Sequence, residues 1–378
     1  APLVGLVGAN GHGRWHRRRM DELAAAGTIR LGGFADPAPI EADPPLPPGV
    51  PVFTDHRELL AGVPLDVAVI CTPPHTHLAI ARDALEAGCD LLMEKPPVVS
   101  VADHETLSAA LAEADAACQV GFQALGSAAL TRLCDAIGAG ELGAITGLAT
   151  VASWRRDDAY YGRAAWAGRP GLGDGALVNP LAHALMQSIA IAAAAGAGEP
   201  VHLAAERFRT RPIGTDDTAF ARVTFAGGLR LLAAVTLAGE DFVPGEVIVT
   251  GSRGRAVLEY PTDRLTLPGA APREFGRADL LTNLVAHRRD PAGDPLLAPL
   301  SRTLGFTRVA EALTGSADPV LLNGGAVRDE GAGPARVRVI TGVNEVLRQA
   351  AQRCALPSEL GVAWARGPGI ERRLQTAV

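Results

Sequence analysis

Short apolar runs alternate with segments of helical period over roughly the first 122 residues of this 378-residue chain, after which the pattern changes. Runs at 3–7, 29–35, 66–71 and 118–122, with one more after Gly88 that ends at Glu94, have the length and the bounding turns of strands. Segments 14–26, 55–61, 78–87 and 101–114 repeat apolar positions at helical spacing. Strands that alternate with helices predict a doubly wound parallel sheet. Further on, a helix at 128–139 and a strand at 145–154 lead into a loop. A helix ending near 195 follows, apolar almost all round and therefore buried. Strands at 201–209, 218–225, 229–237, 247–250 and 256–260, joined by glycine turns, predict an antiparallel sheet. Helices at 280–288, 300–313 and 343–353 close the pattern, with 290–299 and 323–334 as loops.

Composition narrows the class. Hydrophobic residues make up 48% and charged residues 20%, which is globular, while aromatics are only 4%, so the core must be built from Ala, Val and Leu. A formal charge of −6 argues against nucleic acid as a partner. Five cysteines without CxxC spacing suit a reducing cytoplasm, the expected compartment, and neither a signal peptide nor an apolar run of membrane-spanning length is evident. The histidines show no metal-ligand spacing, so no metal is expected.

Three stretches carry chemistry. Gly8-Ala9-Asn10-Gly11-His12-Gly13 stands between the first strand and the first helix, where a tight turn lets backbone approach a pyrophosphate at a helix N-terminus. Asn10 occupies the place of the second glycine of the usual fingerprint. Asp36 ends the next strand, at about the distance where an acid binds the adenosine ribose and disfavours a 2′-phosphate, so NAD is expected over NADP. The second stretch, Thr72-Pro73-Pro74-His75-Thr76-His77, is a polar loop at the carboxyl end of a strand, the ligand edge of such sheets. The third holds Glu94-Lys95-Pro96-Pro97. Lys95 is one of 35 basic residues and the only lysine. Lysine can lose a proton when its surroundings shift it, which arginine cannot, so Lys95 is the candidate acid or base.

These motifs, in this order and at these spacings, resemble the family of glucose–fructose oxidoreductase and inositol dehydrogenase. The resemblance implies a Rossmann domain over 1–122 that binds a nicotinamide dinucleotide through Gly8, Asn10, Gly11, His12, Gly13, Asp36, Thr72, Pro73, His77, Glu94 and Lys95. It implies an α+β domain over 123–378 with a large open, mainly antiparallel sheet, and a homodimer or homotetramer formed through that sheet. Within 154–166 lie two of four tryptophans and two of three tyrosines, fit for stacking on a sugar or for an aromatic mini-core. Tyr161, Trp166 and Arg169 match the family's elements there. Asn179 stands where the family has an aspartate, and His183 where it has a histidine. Asn179 also precedes Pro180 and could cap the helix that follows.

The expected activity is hydride transfer between a secondary hydroxyl of a small sugar or cyclitol and a nicotinamide. Lys95, His183 and Asn179 are the catalytic candidates, and Tyr161, Trp166, Arg169, Asn179 and His183 the substrate-holding ones. Two alternatives keep the same residues: redox-neutral cleavage of a glycoside, and a dinucleotide sensor without catalysis.

Overall fold

Four of the five residues of β1 (Leu3–Val7) are buried in the computed structural model, which describes residues 1–315, 317–367 and 369–374. All of β4 (Val67–Ile70) is buried as well. Uninterrupted apolar runs of this kind mark strands covered on both faces. With β2 (Arg30–Ala35), β3 (Val52–Phe53), β5 (Asp90–Met93) and β6 (Cys118–Val120) they form a parallel sheet in the order β3-β2-β1-β4-β5-β6. Helices α1 (Gly13–Ala25), α2 (His56–Gly62), α3 (His77–Glu86) and α4 (Val101–Ala114) connect the strands. The order reverses between β1 and β4, so the glycine turn after β1, the Thr72 loop after β4 and Glu94 after β5 share one sheet edge at the switch point.

The rest of the chain forms mainly a second unit. It opens with α5 (Ala128–Gly138), β7 (Ile145–Arg155), the short α6 (Asp158–Tyr161) and α7 (Ala182–Ala194). Ten of the thirteen residues of α7 are buried, as its all-round apolar sequence predicts. The strands β8 (Pro200–Arg209), β9 (Thr218–Phe225), β10 (Arg230–Thr236), β11 (Ala238–Gly251), β12 (Gly254–Glu259), β13 (Arg264–Thr266) and β14 (Arg273–Glu274) follow. The chain then returns to the first unit as α8 (Leu280–His287) before α9 (Leu304–Thr314), β15 (Val320–Leu321), β16 (Val327–Glu330), β17 (Val337–Ile340), α10 (Val343–Arg353) and β18 (Ile370–Arg373). The large sheet runs β14-β13-β12-β11-β7-β10-β9-β8-β15, with β18 also on β8. It is mixed, since β10 lies parallel to β7 and β15 parallel to β8, while the other pairs are antiparallel.

Three features depart from the apolar pattern. Residues Ala278–Leu304 belong with Ala1–Gln123 rather than with the second unit. The buried stripe of α8, with Leu280, Leu281, Leu284 and Val285, packs on β5 and β6, and buried Gln119 of β6 donates to Asn283 (2.5 Å) and accepts from the Ala298 N–H (2.8 Å). The loop expected at 323–334 contains β16, which pairs with β17, and its charged Arg328, Asp329 and Glu330 hide any strand period. The third is α10. Its Val343, Leu347 and Ala350 join Ala149, Val151, Leu232, Ala234 and Ile248 in one buried core, so a helix covers the sheet face that carries those residues. A cavity of about 450 Å³ remains beside α10, lined by Val151, Ile248, Leu347, Glu246 and Arg255 among others. No helix among the described residues is long and apolar enough to cross a membrane.

Candidate active site

The glycine turn closes tightly against the end of β4. A Cβ on Gly8 would fall 2.2 Å from the Cys71 carbonyl oxygen, and one on Gly13 would fall 2.0 Å from the Gly8 carbonyl oxygen, so the backbone comes closer here than any side chain permits. Asn10 does not need the left-handed conformation, which falls to Gly11 instead (φ +56°). The Asn10 side chain reaches outward: its Nδ2 donates to the Pro39 carbonyl (3.1 Å), and its Oδ1 accepts from the Glu41 N–H (2.8 Å). The proline-rich loop is thus tied to the turn. Arg14 and Arg18 bind Asp43, Arg14 also binds Glu41, and the buried Arg17 donates to the Glu41 and Asp43 carbonyls.

Asp36 performs a local task too. Its Oδ2 accepts from the Ala9 and Asn10 N–H groups (2.9 and 3.0 Å) and its Oδ1 from Ala38 (3.0 Å). Three bonds leave a carboxylate with one lone-pair direction, on Oδ1, enough for one hydroxyl. At the start of α1 no side chain caps the helix, and the Gly13, Arg14 and Trp15 N–H groups donate to the Asn10, Gly11 and His12 carbonyls (2.9, 3.3 and 3.0 Å), so what this end offers an anion is the positive end of the helix dipole. The close backbone approach, the uncapped N-terminus and the neighbouring carboxylate fit a dinucleotide.

His77 lies apart from this surface. It is fully buried, with Nε2 2.8 Å from the Thr72 carbonyl oxygen and Nδ1 3.0 and 3.1 Å from those of Pro96 and Pro97. Burial pushes its pKa down and the three carbonyls only partly offset this. It clamps the Thr72 loop to the Lys95 segment, which corrects the expectation that it touches the cofactor. Thr72 itself accepts at Oγ1 from the Thr76 hydroxyl (2.7 Å), and Pro73 bounds the same turn.

Glu94 follows β5 with its side chain only 12% exposed. Its Oε1 stands 2.9 Å from His16 Nε2 and 3.5 Å from His12 Nε2, while Oε2 accepts from the Lys95 N–H (3.2 Å). Burial alone would raise the Glu94 carboxyl, but the bonds and charges of His12 and His16 outweigh it and hold it well below the usual carboxylate range. His16 is absent from the sequence-level candidates, although it lies four residues after His12, one helical turn away. Lys95 is half-buried and its peptide bond to Pro96 is cis.

In the second unit, Asn179 does not cap α7, whose N-cap is Leu181. Its Nδ2 donates to Asp174 Oδ1 (3.0 Å), and Asp174 Oδ2 accepts from the Gly168 N–H (2.7 Å). Asp174 is buried and was hidden in sequence by the glycines around it. His183 stands in the first turn of α7 and lies against the Tyr260 ring, centroids 6.0 Å apart. Gln187, the next residue on that helical face, is fully buried and bonded to the Ala124 carbonyl (2.8 Å), so it is structural.

The aromatic stretch resolves into stacked cations and rings. Arg163 lies over Tyr160 (3.9 Å) and Trp166 (5.2 Å), Arg156 over Tyr160 (5.3 Å) and Trp154 (5.9 Å), and Arg211 over Tyr161 (4.6 Å). The Tyr161 hydroxyl is buried and has no hydrogen-bond partner among the described residues. Burial pushes its pKa well above the usual tyrosine value. Arg169 is exposed beyond Trp166.

Residues 3–122 match the model of an oxidoreductase family with an NAD-binding Rossmann fold, and residues 130–257 match the GFO/IDH/MocA C-terminal domain. The chain belongs to this oxidoreductase family. Among curated proteins it is similar to galactose 1-dehydrogenase of Pseudomonas fluorescens, 44% identical over 55 residues, 14% of this chain and 18% of the relative. It is also similar to the uncharacterized oxidoreductase YrbE of Bacillus subtilis, 27% identical over 128 residues, 32% of this chain and 35% of the relative. The matched stretches thus cover no more than 35% of either relative's length. The WlbA dehydrogenase from Bordetella pertussis, solved with NADH and UDP-GlcNAcA, superposes with a TM-score of 0.68 at 22% identity, over 85% of this chain and 99% of that one. A UDP-N-acetylglucosamine 3-dehydrogenase from Acidithiobacillus ferrooxidans gives a TM-score of 0.64 at 17% identity, over 83% and 96%. These likenesses establish a shared fold. NAD is the dinucleotide of the family's first domain, and the glycine turn described above fits it. Where the family pattern has an aspartate, this chain pairs Asn179 with the carboxylate of Asp174.

Proposed function

We propose that this oxidoreductase removes a hydride from a secondary alcohol carbon of a sugar or cyclitol, and that Lys95 takes the hydroxyl proton. The observation that carries this reading is the position of the chain's only lysine at the carboxyl edge of β5, its backbone anchored by a buried Glu94 that is itself held by two histidines. Bound NAD supplies the hydride acceptor. The protein's part is orientation and proton transfer. The close-packed turn from Gly8 to Gly13 brings the pyrophosphate to the N-terminal end of α1, and the open lone pair of Asp36 accepts a ribose hydroxyl. Lys95 Nζ accepts the proton of the reacting hydroxyl, which requires its neutral form at that step.

In the second unit we assign proton handling to His183 and substrate contact to Asn179, Tyr161, Trp166 and Arg169. The support is physical: an unsatisfied, buried Tyr161 hydroxyl gains most from a ligand's polar group, and Asp174 fixes the Asn179 side chain through its amide nitrogen. A sugar substrate accords with the galactose 1-dehydrogenase and sugar-nucleotide dehydrogenases that the chain resembles.

The test is a panel of sugars, sugar nucleotides and cyclitols, scored for NADH formation and for sugar products. NADH should accumulate with at least one of them. Lys95→Ala and Lys95→Arg should each lose about 10² to 10⁴ in turnover, the usual scale for a positioned acid or base. Near-normal turnover by Lys95→Arg would reduce Lys95 to a fixed charge, and sugar cleavage without NADH would replace net oxidation with the redox-neutral reaction.

A further inference from the structure

Residues that the sequence presents separately, one in a turn, one in a helix and one after a strand, converge in the first unit. His12 precedes α1 but already has helical dihedrals (φ −66°, ψ −26°), so His12 and His16 project from one face a single turn apart. Glu94 arrives from β5. Among the described residues these three side chains bring their ligand atoms within 4.8 Å of one another. Both imidazole Nε2 atoms converge on the same carboxylate oxygen, at 2.9 and 3.5 Å. In a tetrahedral zinc site with bonds near 2.0–2.1 Å, neighbouring ligand atoms stand about 3.4 Å apart. The observed separations bracket that edge.

The surroundings hold the donors in place. Oε2 of Glu94 is engaged by the Lys95 N–H, which leaves Oε1 as the single offered ligand. The Trp15 ring stacks on His12 (6.0 Å, 2°) and meets His16 edge-on (5.0 Å, 85°), fixing both imidazoles. The side chains of His16 and Glu94 are 5% and 12% exposed, whereas His12 is 56% exposed, so the cluster has a dry floor and an open mouth. Two imidazoles and one carboxylate suit zinc; magnesium and calcium demand oxygen ligands throughout. Three protein ligands with a fourth position open to solvent is the pattern of an accessible zinc site rather than a sealed structural one.

We propose that His12, His16 and Glu94 form a binding site for one zinc ion, its fourth ligand drawn from solvent. The inference stands on the donor geometry and does not depend on the substrate or on the role of Lys95. Lys95 neighbours the site, and its charge opposes a cation, so affinity should fall short of that of an all-cysteine structural centre.

The test is calorimetric titration of the chelator-treated, metal-free 378-residue chain with zinc chloride, without dinucleotide. Wild type should bind one equivalent. His12→Phe keeps an aromatic ring on Trp15 and removes one ligand at an exposed position, so it should fold normally. Because a lost ligand costs more than a lost supporting bond, its affinity should drop by more than the roughly 10- to 100-fold typical of second-shell changes. Glu94→Gln should weaken binding in the same way, and it serves if the first variant folds poorly. His202→Ala, at the separate His202–Glu371 pair, should leave the titration unchanged. Absence of zinc binding by wild type, or an unchanged titration of His12→Phe or Glu94→Gln, overturns the proposal and leaves the cluster a hydrogen-bonded triad.

Discussion

Asp36 shows how one side chain can serve both the fold and specificity. Its carboxylate fastens the glycine turn through Ala9 and Asn10, and on the proposed function it is also the group that meets the adenosine ribose, where its charge would repel a 2′-phosphate. The arginines that could offset it are committed, Arg14 and Arg18 to the carboxylates of the proline-rich loop and Arg17 to its carbonyls. We therefore expect kcat/KM with NAD to exceed that with NADP by more than tenfold, the equivalent of about 1.4 kcal/mol. Asp36→Asn keeps an acceptor for the turn and should narrow the ratio. Comparable efficiencies in wild type would show that the phosphate finds a cation elsewhere. Asn179 makes a complementary point: its type and its place before Pro180 favour a helix cap, yet the side chain is taken by Asp174, and only the folded loop brings the two together.

At the scale of elements, the short α6 depends on charge more than on apolar packing, since none of its residues is buried. Asp158 accepts from Arg211 Nε (2.7 Å) on one oxygen and from Arg336 Nε (2.9 Å) and a second Arg336 nitrogen (2.8 Å) on the other, tying α6 to the segment before β17. Burial would raise the Asp158 carboxyl, but Arg211 and Arg336 outweigh it and hold it below the usual aspartate value. A depressed folded-state pKa means that this stabilisation is complete above the unfolded value near 3.9 and fades as pH falls through the folded one. Asp158→Asn should therefore lower Tm at pH 7, by the equivalent of about 1–3 kcal/mol for lost bonds to charged groups, and the two proteins should converge in strong acid. A thermal melt series across pH checks this, and a constant difference at every pH would show that the charge is not what matters.

At the scale of the whole molecule, the open sheet implied by the family resemblance is partly closed. Core residues on α10 cover the face that carries Val151, Leu232 and Ile248, so assembly through a bare sheet has less surface to use than the resemblance implies. What remains exposed and large on β11 is Phe242, at 75%. We expect a homo-oligomer in sedimentation equilibrium that Phe242→Asp shifts toward monomer; a monomeric wild type would end that expectation. Much of this protein was legible in one dimension because its first third obeys local rules. Continuous apolar strands, helical spacing, a glycine turn that cannot tolerate a Cβ and a lone lysine after a buried strand are all properties of neighbours in sequence, and they predicted the parallel sheet and the family. Other features depend on residues far apart in the chain. The return of α8 to the first unit rests on Gln119 meeting Asn283, and β16 is a strand because β17 offers it a ladder, not because its charged residues alternate. The partnership of Asp174 with Asn179, the burial of His77 between two loops and the convergence of His12 and His16 on Glu94 are likewise products of packing. Local periodicity and covalent geometry are written in the order of residues, whereas which side chains share a surface is decided only when tertiary contacts bring distant segments within bonding distance.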